Sequence, residues 1–235
     1  MRLVPIDHAG ATLDLFVHDD DYLSNQIAQT GSFYEAEILE TVRTHFPSHR
    51  TVIDVGANIG NHSSFFLKYL QPRRLVCFEP VQANFDVLQK NIELHANGIP
   101  VEAHRMALGA TTGMVEMIHD PRNMGSCEVV PDRPGTIEMR TLDSFGYEDV
   151  SLLKIDVESS FRDVLMGSLR TLLVSHPIVL TEGPFEQVFP ILGPLGYLCT
   201  AMWYTDTRTY LYQAKPSGLT RVSGRSAVPP VGRRP

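Results

Sequence analysis

Residues 52–66, VIDVGANIGNHSSFF, pass from an unbroken apolar run into a turn bracketed by glycines and leave it with helical spacing. A strand that feeds a helix through such a turn predicts an open α/β sheet, because the chain must double back across one sheet face before the next strand can form. The turn also brings bare backbone to the carboxyl end of a strand, where ligands of open α/β sheets collect. The functional question is which ligand that turn accepts.

The alternation of strand and helix continues to residue 182. After TVIDVGA (51–57), the stretches RLVCFEP (74–80), VEAHRMAL (101–108), SLLKIDVE (151–158) and PIVLTEG (177–183) predict four further strands. Helices are expected at 61–70, at 81–96 and after the fourth strand. In the second, Phe85, Leu88 and Ile92 recur at steps of three and four, and Asn97–Gly98 stops the run. In the third, Phe161, Val164, Leu165, Leu169 and Leu172 share a face. Between 109 and 145 the pattern changes to short β-prone pieces, TGMVEMIHD, CEVV and TIEMRTL, which predict a small antiparallel insertion between the third and fourth parallel strands. Residues 197–214 read as a hairpin turning near Thr205–Thr207. The tail 216–235 has four prolines and no acidic residue, and disorder is expected there. The fold class is therefore α/β, a mostly parallel sheet with helices on both faces. A body at 51–215 is preceded by a segment 1–50 and followed by the tail.

Composition narrows the partners. A net charge of −7, with no basic cluster in the body of the chain, argues against a nucleic-acid backbone as main partner. No apolar run approaches the ~20 residues that cross a bilayer, and the opening MRLVPIDHAGATLDLF lacks the continuous apolar segment of a signal peptide. Cys77, Cys127 and Cys199 have neither a metal spacing nor an even count for disulfides. A cytoplasmic protein with no membrane partner is expected. Oligomeric state is not encoded in any motif, and a homo-oligomer is compatible with the chain.

The turn itself rules out one ligand and disfavours another. A P-loop needs lysine and a hydroxyl after its last glycine, but Asn61 and His62 follow Gly60. A dinucleotide fingerprint needs glycine at positions one, three and six; counted from Gly56 the latter two are Asn58 and Asn61. The pattern acid-x-Gly-x-x-x-Gly, Asp54 to Gly60, suits a ligand without phosphate: an adenosyl group with an amino-acid tail, whose ammonium Asp54 can face. Glu79, 19 residues past Gly60, ends the second strand, where a carboxylate can accept both ribose hydroxyls.

These blocks resemble the FkbM-type S-adenosylmethionine-dependent methyltransferases. The similarity runs in order through FYEAEIL (33–39), TVIDVGANIGNHSSFFLK, VCFEPVQANFDVLQKNIEL, NMGS (123–126), MRTLDSF (139–145) and LLKIDVE with DVLMGSL behind it. The resemblance implies a class I methyltransferase fold, Rossmann-like, with a seven-stranded mostly parallel sheet whose last strand is antiparallel. It makes 51–215 the S-adenosylmethionine-binding domain and 1–50 a lid. It implies that Asp54, Gly56, Ala57, Asn58 and Gly60, with Asn61 after them, line the methionine part of the cofactor. Glu79 would hold the ribose beside Pro80 and Asn84. Met106 and Ala107 would flank the adenine, and Asp156 and Glu158 would face the sulfonium and the acceptor. Glu35, in FYEAEIL, is expected as a lid residue over the cofactor; a solvated helix face is the plain alternative. One departure stands out: where the family continues DVEG with an acid two residues on, this chain has Ser159 and Phe161.

The activity implied is O-methylation of a hydroxyl on a small molecule or glycoside, as in natural-product tailoring. Removing the hydroxyl proton needs a base, and Asp156, Glu158 and His62 are the catalytic candidates, with Glu182 nearby. Each has a structural alternative: a helix cap for Asp156 and Glu158, a hydrogen-bonded core histidine for His62. No residue set reads as a metal site; magnesium, which needs only one or two carboxylates, is left without a clear motif. Two other functions remain in play: a cofactor-binding but inactive partner subunit, suggested by Ser159 and Phe161, and a nucleotide-dependent oxidoreductase, which the missing glycines disfavour.

Overall fold

The computed structural model describes residues 1–46, 50–120, 123–130, 135–204 and 208–215, with backbone alone for 118–120 and 123–130. The expected hairpin turn at Thr205–Thr207 and the tail 216–235 lie outside the described residues.

The chain opens with an antiparallel hairpin, β1 (Arg2–His8) and β2 (Ala11–Val17), followed by helices α1 (Tyr22–Thr30) and α2 (Ala36–His45). Asp21 caps α1 by accepting the Ser24 N–H at 3.1 Å, and Gly31, in the left-handed region, ends it. The alternating half-units of this body then follow: β3 (Thr51–Val55), α3 (Asn61–Phe65) running on as a π turn to Leu70, β4 (Arg74–Phe78), α4 (Gln82–His95) and β5 (Val101–His104). Next come β6 (Ala107–Leu108), β7 (Gly113–Asp120), β8 (Asn123–Val130) and β9 (Ile137–Arg140). The body closes with β10 (Val150–Ile155), α5 (Phe161–Met166), α6 (Leu169–Ser175), β11 (Ile178–Glu182), α7 (Phe185–Leu192), β12 (Tyr197–Tyr204) and β13 (Arg208–Ala214).

The main sheet has seven strands in the order β12-β13-β11-β10-β3-β4-β5. From β11 to β5 all neighbours are parallel, and the last strand, β13, runs antiparallel between β11 and β12. Every residue of β3 and β10 is buried, as strands covered on both faces require. Alternate residues serve opposite cores. Val52, Leu75, Cys77 and Leu152 face one, with α4, α2 and the β1–β2 hairpin. Ile53, Val76, Leu153 and Val179 face the other, with α5, α6 and α7. The N-terminal hairpin thus shares a core with the sheet, through Val4, Ile6, Leu13, Leu15 and Val17.

Two expectations need correction. The third strand stops at His104, and Ala107–Leu108 leaves the main sheet to pair in parallel with β9, so the insertion is a four-stranded sheet, β6-β9-β7-β8. The helix after the fourth strand is broken at Gly167–Ser168. A Cβ on Gly167 would lie 2.1 Å from the Gly109 carbonyl, so the insertion's first residue fixes the break. Helix α7 was not anticipated; Pro190 within it hides the helical signal.

Candidate functional site

A cavity of about 230 Å³ opens at the carboxyl ends of β3, β4, β10 and β11. The glycine turn forms one wall with Gly56, Ala57 and Asn58; Glu79 and Pro80 follow β4; Met106, Ala107 and Leu108 follow β5. Asp156, Val157 and Glu158 come from the end of β10, and Glu182 from β11. Tyr22, Leu23 and Tyr34 of the N-terminal segment close the remaining side.

Glu79 ties the turn to the next helix. It is 4% exposed, and its two oxygens accept the backbone N–H of Asn58 at 2.8 Å and of Val81 at 2.9 Å. Burial pushes its carboxyl up to about 7, against the pull of those two donors and of Asn84. On the same wall Asn58 adopts φ 49°, and its Oδ1 is buried without a hydrogen-bond partner.

Asp54 and Gly60, expected at the ligand, are not on the cavity wall. Asp54 is fully buried: Ser63 Oγ donates to its Oδ2 at 2.6 Å, and Lys154 Nζ lies 3.0 Å from its Oδ1. Gly60 sits at φ +87°, where a Cβ would meet Leu88 of α4 at 2.8 Å. Gly56 does line the cavity, yet its lack of a side chain has an internal cause as well. At φ +73° a Cβ would lie 1.8 Å from the Asp156 carbonyl. The turn is glycine-rich because β10 and α4 crowd it, in addition to whatever lies in front of it.

Asparagines of the turn and of α4 hold the N-terminal segment. Asn61 accepts from the Tyr34 N–H and donates to the Tyr34 carbonyl, both at 3.1 Å. Asn84 Oδ1 meets His18 Nε2 at 2.9 Å. Asn91 bonds the N–H and carbonyl of Phe16 at 2.8 and 2.9 Å and the Ile59 carbonyl at 2.7 Å. Asn61 and Asn84 also line the cavity, so they serve the wall and the roof together.

His62 lines the cavity and is 6% exposed. Its Nε2 lies 3.3 Å from Glu35 Oε2, a carboxylate equally buried; Glu35 itself is off the wall and adopts φ 58°. Glu35 Oε1 and His62 Nε2 make no well-aligned hydrogen bond. Asp156 is half-exposed, with Oδ2 3.3 Å from Lys154 Nζ. Glu158 is exposed at φ 50°. Phe161, where the expected acid is absent, is turned away from the cavity into the core, its ring 2.9 Å from the place a Gly183 Cβ would take. Among the described residues no group of three His, Cys, Asp or Glu could hold a metal ion, and no helix is long and apolar enough to cross a membrane.

Sequence reasoning missed Lys154, Tyr22, Leu23 and Tyr34. The first had a signal, a lysine inside an otherwise apolar strand; the others belong to a segment whose approach to the cavity depends on long-range packing.

The Methyltransferase FkbM domain matches residues 54–198. "Methyltransferase sdnD" of Sordaria araneosa is 26% identical over 69% of this chain and 80% of its own length. "Methyltransferase 1" of Beauveria bassiana is 26% identical over 52% of this chain, which spans 59% of that protein. The crystal structure of methyltransferase FkbM from Methylobacillus flagellatus shares the fold with a TM-score of 0.54 at 17% identity, covering 70% of this chain and 43% of that one. The domain match takes in the end of β3 and all of β4, β10 and β11, the strands whose ends form the cavity, and extends over more than half of the sequence: the chain belongs to the FkbM methyltransferase family.

Proposed function

We propose that this protein is an S-adenosylmethionine-dependent O-methyltransferase acting on a hydroxyl of a small molecule or glycoside, as in natural-product tailoring. The observation that carries the reading is Glu79: a buried carboxylate, oriented by two backbone donors, standing in the same cavity as Asp156, Glu158 and Glu182. The residues suit the cofactor. Glu79 has acceptor capacity left for a ribose diol, Asn58 Oδ1 lacks a partner, and Phe78, Met106 and Leu108 offer an apolar slot to a base. Gly56, Ala57 and Asn58 would take the methionine part, with Pro80 and Ala107 beside ribose and adenine.

When bound, the cofactor supplies an electrophilic methyl group on a sulfonium. The protein's share is alignment and proton removal. One oxygen of Asp156 is committed to Lys154, which suits it to hold a ligand group in place. His62 is the better base of the candidates: Nε2 lies 3.3 Å from the buried Glu35 carboxylate, and Nδ1 would take the hydroxyl proton. Glu35 then steadies the imidazolium. Glu158, near the mouth, is assigned to the acceptor rather than to the proton. No step calls on a metal.

The first test is a calorimetric titration with S-adenosylhomocysteine, with NADH as control. Micromolar binding of the former alone supports the reading; binding of NADH alone replaces it with the oxidoreductase. Binding of S-adenosylhomocysteine with no turnover on any hydroxylated acceptor would favour an inactive partner subunit. Phe161 and Ser159 lie off the cavity wall, so the altered positions themselves do not block it.

A further inference from the structure

Strand β10 reads VSLLKI, and all of it is buried. A lysine at the centre of such a strand is tolerated only if its ammonium is paired. Parallel register sets Lys154 directly beside Asp54 of β3. The two-residue period of a strand carries Asp156 to the same side, one step nearer the cavity. The ammonium donates to the Gly56 carbonyl at 2.7 Å and is ion-paired with two carboxylates, Asp54 Oδ1 at 3.0 Å and Asp156 Oδ2 at 3.3 Å. Burial opposes the charge, and the two carboxylates outweigh burial and keep the lysine protonated.

The two acids are not equivalent. Asp54 is fully buried and its second oxygen is taken by Ser63. Asp156 is 37% exposed on its side chain and lines the cavity, as does Lys154. One ammonium between two carboxylates also leaves the cluster one formal negative charge, on the cavity side.

We propose that Lys154 is a positioning residue for ligand binding: it fixes Asp156 Oδ2 and the Gly56 carbonyl, so that Asp156 presents its other oxygen to the cavity as an immobile anionic acceptor for a cationic group, the ammonium of an amino-acid tail. Asp54 serves the ligand through Lys154, not by contact. This inference rests on the cofactor reading above and adds to it the residue that orients the tail-binding acid.

The experiment compares two ligands by calorimetry: S-adenosylhomocysteine, which has the ammonium, and 5′-methylthioadenosine, which lacks the tail. The proteins are wild type, the double variant Asp54→Asn/Lys154→Met, and Asp156→Ala. The double variant removes both members of the fully buried pair together, so that neither charge is stranded. The expected result is a loss of at least about tenfold in S-adenosylhomocysteine affinity in both variants, with 5′-methylthioadenosine affinity within about twofold of wild type. A double variant that binds S-adenosylhomocysteine as wild type does overturns the inference alone. So does an equal loss for both ligands, which marks Lys154 as purely structural. If the double variant does not fold, Asp156→Ala, which keeps the Asp54–Lys154 pair, decides: unchanged S-adenosylhomocysteine affinity refutes the assignment. Wild type that binds neither ligand overturns the cofactor reading and the inference with it.

Discussion

Asn61 grips Tyr34 by both backbone groups, accepting its N–H and donating to its carbonyl at 3.1 Å each. A side-chain amide used in this way imitates a strand partner, and it joins the roof of the cavity to the glycine turn. Asn61→Ala removes both hydrogen bonds from the Tyr34 backbone. We expect a loss of about 1–3 kcal/mol in urea unfolding and faster hydrogen exchange at the Tyr34 amide. An unchanged exchange rate would mean that the roof is held without the clamp.

Glu79 predicts a pH dependence. The folded protein keeps a proton on this carboxyl up to about pH 7, whereas its ordinary value is 4.5. Between those values the folded state binds more protons than the unfolded chain, so this group's contribution to stability falls as pH rises from 4.5 to about 7 and is flat above. Glu79→Gln removes the slope. Chemical denaturation across the window should show the variant gaining on wild type by up to about 3 kcal/mol. Under the proposed function, S-adenosylhomocysteine affinity should rise with pH through 7 in wild type and stay level, and weaker, in Glu79→Gln. Parallel stability curves for the two proteins would remove the assignment of the buried charge.

Gly56 faces the Asp156 carbonyl across a gap that has no room for a methyl group. Gly56→Ala adds a left-handed strain to a backbone clash, and a destabilisation above about 3 kcal/mol is expected, read as a fall in thermal midpoint or as insoluble protein. A variant that melts with wild type would show that β3 and β10 separate more easily than their pairing suggests.

Phe161 occupies the position of an acid in the resembling family, and its ring is packed in the core against Gly183. Phe161→Glu, which restores the acid, buries a carboxylate in an apolar site and leaves a packing defect. It should cost more than about 3 kcal/mol and yield no gain in S-adenosylhomocysteine binding. A stable variant with tighter binding would reverse this account and place the position at the ligand.

The inner strands β3, β4, β10 and β11 were legible because they are buried on both faces and so read as continuous apolar runs broken by turn residues. Helix α4 was legible from Phe85 and Leu88, which recur with the helical period and are buried. Less of the site was legible. Gly56 and Glu79 could be found because strand ends recur at fixed offsets along the chain. The use of Asn61 and Asn84 as clamps on Tyr34 and His18 could not, since an asparagine carries no sign of which distant backbone it will meet.

The sequence by itself determined the order of elements, the parallel sheet and the acids at its carboxyl edge, because burial periodicity and turn chemistry are local. Tertiary structure alone decided what those acids do. Asp54 and Asp156 look alike in the chain, each following apolar strand residues. Strand register sets Lys154 between them, and burial leaves one sealed against Ser63 and the other open to the cavity. Register and solvent access depend on pairing across about a hundred residues of chain, and no local pattern records them.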